Sequence, residues 1–155
     1  MPVTAEQSRV VTAPPEIAFA AALHIPLPRL LSRRYGPFPP IAAVTGQTGW
    51  DRAGDSRTIV PVGGGSLRET LTAVDAPVSF GYRISEIGGP MALLVERIDG
   101  LWTFAAHDGG TRVSWRWTLH PKSALTAPVV RILGRLWPGY ARRALESLSD
   151  YLATA

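Results

Sequence analysis

Few residues in this chain could do chemistry. Arg57 and Glu69 stand on either side of Pro61-Val62-Gly63-Gly64-Gly65-Ser66, a turn-forming stretch between two β-rich runs. If that turn centres near Gly63, the two side chains face each other across paired strands, on the face that also carries Ile59, Leu67 and Leu71. An arginine–carboxylate pair on an apolar face can orient a polar group of a bound molecule. The plain alternative is an ion pair at a sheet edge, worth ~0–1 kcal/mol when exposed. Tyr82 lies in an alternating run and is expected to point inward, where its hydroxyl can donate to a ligand carbonyl, act as a general acid or simply bond within the core. Tyr140 presents the same choice.

Other chemistries lack their residues. His24, His107 and His120 are far apart, with no partner at metal-ligand spacing and no acidic cluster, so neither a metal nor any other cofactor is expected. The chain has no cysteine, which removes thiol nucleophiles, disulfides and thiolate metal sites. Arg68 follows Ser66 where a nucleophile elbow needs glycine. The triple glycine 63–65 sits between strands, so no helix N-terminus is available to bind phosphate; a flexible hairpin tip is the expectation.

The elements that must position these residues read as mostly β. Strands are expected at Gln7–Thr12, Ile41–Gln47, Ser56–Val62, Ser66–Val74, Ser79–Ile87, Leu94–Ala106 and Gly110–Leu119, bounded by Gly, Pro and Asp. Asp108-Gly109 suits the positive φ angles of a two-residue hairpin turn. Positions summing to 217 would then face each other, placing Trp102 opposite Trp115 and Phe104 opposite Val113. Between the first two strands, Pro14-Pro15-Glu16 opens a short helix through Leu23, and Pro28 a second through Leu31.

The C-terminal segment carries the longest helical pattern, about 26 residues or roughly 39 Å. Thr126 is its expected N-cap. Val129, Leu133, Leu136, Tyr140, Ala144, Leu148 and Leu152 form its apolar side, with Arg131, Arg135, Arg142, Glu146 and Asp150 opposite. Pro138 should kink or break it, with Gly134 and Gly139 giving room. Seven strands span roughly 29 Å at ~4.8 Å each, whereas one helix is only ~10–12 Å wide. The sheet must curl around the helix, and the space between is filled by large side chains or left as a cavity.

Composition bounds the rest. With 155 residues, 46% of them hydrophobic and 18% charged, one globular domain over residues 1–155 is expected. The net charge of +4 comes from fifteen arginines and one lysine against twelve acids, dispersed without a like-charge block. Nucleic acid is therefore not expected as a partner. The arginines of the last helix leave a membrane surface as a weaker alternative, with an exposed apolar patch near Ile132, Leu136 and Trp137 as its signature. The start has no secretory pattern and the longest weakly charged run, Ile17 to Leu27, is too short to cross a bilayer, so a cytoplasmic location is expected.

Several segments, in order, resemble the START and birch-pollen-allergen-like (SRPBCC) superfamily of helix-grip proteins, in its polyketide cyclase/dehydrase-like branch. They are Val11-Thr12-Ala13-Pro14-Pro15-Glu16 with Phe19, Gly54-Asp55-Ser56-Arg57 with Glu69, Phe80-Gly81-Tyr82, Gly100-Leu101-Trp102-Thr103-Phe104, and Gly110-Thr111-Arg112-Val113 with Trp115. The Pro37–Pro40 stretch and Pro138 depart from that pattern. The resemblance implies an α+β helix-grip fold: a seven-stranded curved antiparallel sheet around a long C-terminal helix, with two short helices between the first two strands. It also implies a cavity for hydrophobic molecules such as lipids or polyketides, and a glutamate like Glu69 lines the pocket of hormone-receptor relatives. The residues expected to line the cavity are Arg57, Glu69, Tyr82, Ile84, Trp102, Phe104, Val113, Trp115, Trp117, Leu133, Trp137 and Tyr140. Binding without catalysis is the leading expectation. The alternative is a cyclase or dehydratase with Tyr82 or Glu69 as acid or base and Arg57 stabilising an enolate. Ligand identity and oligomeric state stay open.

Overall fold

The computed structural model describes residues 1–47 and 49–154. Its strands are β1 (Val3–Val11), β2 (Ile41–Thr45), β3 (Ser56–Pro61), β4 (Leu67–Asp75), β5 (Ser79–Ser85), β6 (Val95–His107) and β7 (Gly110–Pro121). They form one antiparallel sheet in the order β1-β7-β6-β5-β4-β3-β2. Helices α1 (Pro15–His24) and α2 (Leu27–Leu30) lie between β1 and β2, and α3 (Ala127–Ala153) follows β7. This is the helix-grip arrangement, a curved sheet holding a long C-terminal helix.

Local chemistry sets the registers. Asp108 and Gly109 have φ of 46° and 81°, as a primed hairpin turn requires, and β6 pairs with β7 so that Trp102 meets Trp115 and Phe104 meets Val113. On the other side of the sheet, Arg57 pairs with Glu69 and Ile59 with Leu67. β1 begins at Val3 rather than Gln7, because its polar residues alternate along a strand whose whole length hydrogen-bonds to β7. A short 3-10 turn at Pro90–Leu93, between β5 and β6, had no signal of its own beyond Gly-Gly-Pro.

Helix α3 corrects two expectations. It runs unbroken through Pro138. The flanking glycines serve packing between elements: a Cβ on Gly134 would stand 2.6 Å from Val3 Cγ1, and one on Gly139 would overlap the Tyr35 ring. The buried face is also rotated from the expected one. It runs through Val130, Leu133, Trp137, Tyr140, Ala141, Ala144, Leu145 and Leu148, whereas Val129 and Leu136 are exposed. Trp137, fully buried, selects this face because no other position on the helix offers as much apolar area. Thr126 is the N-cap residue and its carbonyl accepts the Val130 N–H, but its side chain caps no helix N–H; the hydroxyl bonds back to Ser123.

The helix lies mainly against β1 and β7, at one end of the strand order. α1 closes over β6 and β7, while α2 packs on β2 and on α3. An aromatic stack fills the space beneath α1 and α3: Trp102 lies on Trp115 at 4.8 Å, Trp137 meets Trp115 and Trp117 at 4.8 and 5.2 Å, and Phe19 meets Phe80 and Phe104 edge-on. Toward β2–β5 no comparable stack exists among the described residues, and the interior opens.

Candidate functional site

The opening is a cavity of about 390 Å³ between the concave face of the sheet and the α2–Pro39 segment. Its wall contains Arg57, Glu69, Tyr82, Ile84, Trp102, Trp115, Trp117, Leu133 and Tyr140. The other expected lining residues lie elsewhere. Phe104 and Val113 sit further along the β6–β7 hairpin, in the part of the interior filled by Phe19 and Phe80. Trp137 lies behind Trp115 and Trp117, so it supports the wall without reaching the space.

The polar groups of the wall come from neighbouring strands. Arg57 Nε donates to Glu69 Oε1 at 2.7 Å, and the two side chains are only 10% and 7% exposed. The pair is thus buried, not a sheet-edge contact. Burial pushes the Glu69 carboxyl above its ordinary value, and the Arg57 charge offsets part of that rise. The Arg57 guanidinium also lies 3.8 Å over the ring of Trp50, a cation–π contact in a largely dry setting.

Sequence reasoning missed Trp50, which belongs to the loop between β2 and β3. The loop is fastened by Asp55: its Oδ2 accepts the N–H groups of Asp51 and Arg52 at 2.9 and 3.2 Å, which holds its carboxyl below the ordinary value. Its backbone N–H bonds to Arg52 and its carbonyl to Leu71. An aromatic residue shortly before an Asx-type turn was the available signal.

Tyr82 accepts hydrogen bonds from Nε1 of both Trp115 and Trp117, each at 2.8 Å. Burial, with the Glu69 charge adding to it, pushes its phenol far above the ordinary value. Tyr140, also raised by burial, donates to the Pro39 carbonyl at 2.8 Å and stacks on Phe38 at 5.2 Å. The proline-rich stretch is thereby fastened to α3 and forms the roof of the cavity. The rim is built by Val62, Gly63 and Gly64 at the β3–β4 tip and by Pro90, Met91 and Leu94 opposite. None of the three histidines borders this space; His24 and His120 bond to Asp51 and Asp99.

Chemically, the arrangement is an apolar container with one buried ion pair and one phenol in its wall. No helix among the described residues is long and apolar enough to cross a membrane. A search of curated proteins finds no match to the chain. Among solved structures, Ara h 8.0201 superposes with a TM-score of 0.71 at 17% identity, covering 100% of both chains. TTHA0849 from Thermus thermophilus gives 0.73 at 17% identity, covering 97% of each. Both are similar in fold. The family described as polyketide cyclase / dehydrase and lipid transport matches residues 2–153. With that match across nearly its whole length and the helix-grip architecture to go with it, the chain belongs to the polyketide cyclase/dehydrase and lipid transport family of the SRPBCC superfamily.

Proposed function

We propose that the protein binds a small, largely hydrophobic molecule, a lipid, polyketide or similar compound, in the cavity between the sheet and its helices, without transforming it. The observation that carries this reading is the 390 Å³ hollow walled by aromatic and aliphatic side chains, with a buried Arg57–Glu69 pair among them. Apolar burial at ~25 cal/mol per Å² supplies the affinity, and the polar pair fixes orientation. The cyclase or dehydratase alternative needs a group that exchanges protons readily. Tyr82 is raised far from that condition and Glu69 is tied to Arg57, which favours binding over catalysis.

Native mass spectrometry of freshly purified protein tests the reading directly. A co-purified adduct of lipid-like mass is expected, and Glu69→Gln is expected to change affinity for it as well as to lower stability, since it leaves the buried Arg57 charge unpaired. Unaltered affinity beside a large stability loss would reject a role for the pair in binding.

A second reading concerns how such a ligand arrives. Leu125, Val129, Ile132 and Leu136 form an exposed apolar stripe before and along the first half of α3, flanked by exposed Arg131 and Arg135. Trp137, expected in this patch, is buried instead. An apolar stripe bordered by cations suits docking on an anionic lipid surface. Co-sedimentation with phosphatidylserine vesicles at low salt, reduced at high salt and lost in I132S/L136S, is the expected result; no sedimentation at low salt refutes it.

A further inference from the structure

Tyr82 is held so that its hydroxyl has one role left. A phenol offers a single proton and its oxygen lone pairs. Two indole N–H groups, from Trp115 and Trp117, occupy the oxygen at 2.8 Å each. Nothing among the described residues accepts the phenol proton, and no hydrogen bond joins Glu69 to Tyr82. Accepting two hydrogen bonds polarises the O–H and strengthens it as a donor.

The ring itself cannot move away easily. It lies over Gly100, its pairing partner on β6, where any Cβ would overlap Tyr82 Cζ, Cε1 and Cε2. Tyr82, Trp115 and Trp117 all border the cavity. From across β4, Arg57 adds positive charge: only its Nε is spent on Glu69, and its terminal N–H groups bond to no described residue. The phenol proton of Tyr82 and the terminal N–H groups of Arg57 are the donors this part of the wall offers, beside the Glu69 carboxylate that Arg57 holds.

Building on the binding function above, we infer that the cavity selects molecules presenting a carbonyl or carboxylate oxygen to Tyr82, which acts as an obligate hydrogen-bond donor. A ligand bringing an N–H to the same place meets a hydroxyl whose oxygen is already occupied, and is disfavoured.

Two probes of nearly equal size separate this selection from simple hydrophobic binding: 2-acetylnaphthalene, a ketone, and 2-ethylnaphthalene, its hydrocarbon counterpart. Calorimetric titration of the wild-type protein is expected to show the ketone bound about tenfold more tightly, the scale of one buried hydrogen bond. The infrared C=O stretch of the bound ketone should fall below its position in hexane. Y82F should narrow the gap between ketone and hydrocarbon affinity, since the phenol donor is removed. Because Y82F strands two indole N–H groups and can weaken folding, the infrared reading on wild type provides the test that needs no variant. Equal affinity for the two probes, or a C=O stretch at its hexane position, overturns the selectivity while the cavity's role as a binding site stands. If neither probe binds, both fall.

Discussion

Replacing Arg57 by Met, Glu69 by Leu, and then both together distinguishes a pair kept for stability from one kept for recognition. The ions are 10% and 7% exposed and share one hydrogen bond of 2.7 Å. With charge centres about 4 Å apart and an effective dielectric of about 20, their attraction is about 4 kcal/mol. Removing each ion from water costs several kcal/mol, so the intact pair contributes about nothing net. A single charge left behind is a different matter, costing about 3–5 kcal/mol. R57M and E69L are each expected to lose about that much, whereas the double variant should lie within about 1 kcal/mol of wild type or above it. Met at position 57 helps by retaining contact with Trp50, against which the guanidinium now lies. Urea unfolding, followed by tryptophan fluorescence and far-ultraviolet circular dichroism with a check that m is unchanged, gives the four free energies of the cycle. A double variant that loses as much as either single one would show that the two residues together are a net structural asset, and the argument that they are retained for a ligand would fail.

Three further perturbations address the parts around the pair. Gly100→Ala drives a methyl into the Tyr82 ring; overpacking and the stranding of two buried indole donors should together cost about 3–6 kcal/mol, visible as a lower urea midpoint and an altered near-ultraviolet tryptophan signal. An unchanged near-ultraviolet spectrum would mean the ring has another place to go. Asp55 contributes stability above its unfolded pKa, near 3.8, that is lost as pH falls through its lower folded value. Asp55→Ala should therefore loosen the Trp50 loop at neutral pH and remove that part of the acid-side loss, measurable by amide exchange at residues 49–54. Glu69 has the opposite sign: its folded pKa is raised, so its contribution is full below the unfolded value of 4.5 and lost as pH rises through the folded one. Stability of Glu69→Gln, followed by urea midpoint against pH, should lack this alkaline-going decline, and an identical pH profile in the two proteins would contradict the assignment.

Two strand registers, β6 with β7 and β3 with β4, were legible because short-range chemistry dictates them. Asp108-Gly109 permits only one tight turn, and that turn alone places Trp102 on Trp115 thirteen residues away. The triple glycine likewise brings Arg57 opposite Glu69. The face of α3 was harder to read, because Val129, Val130, Ile132, Leu133 and Leu136 satisfy a helical period on two adjacent faces, and the choice between them depends on where β1 and β7 receive Trp137. Pro138 misleads as to a break for a related reason: tertiary packing on both sides of the helix, with Val3 against Gly134 and Tyr35 against Gly139, keeps it one continuous element past the missing N–H. Trp50 lay beyond periodicity altogether, since its loop is organised by the Asp55 carboxylate, a contact that leaves no repeating trace.

The position of the cavity follows from the placement of α3. A helix ~10–12 Å wide that packs on β1 and β7 leaves the β2–β5 end of the sheet without a long element above it. Two devices respond to that exposure. Under the helix, the Trp102, Trp115 and Trp137 stack consumes the volume; beyond it, the Pro37–Pro40 stretch forms a roof fastened at Pro39 by the Tyr140 hydroxyl. Proline suits such a roof, having little conformational entropy to lose and few N–H groups to satisfy over an apolar space. The Tyr140 hydroxyl ties the roof to α3, beside the burial of Phe38 against Tyr140 and Trp117 and the backbone bonds that join Phe38 to Tyr35 and Pro40 to Val62. Tyr140→Phe is therefore expected to speed amide exchange at Gly36 and Phe38 and to accelerate entry and exit of a bound naphthalene, with global stability reduced by only about 1 kcal/mol. If exchange there stays tied to global unfolding, the roof is part of the core, and ligand must enter instead between the β3–β4 tip and the Pro90–Leu93 turn.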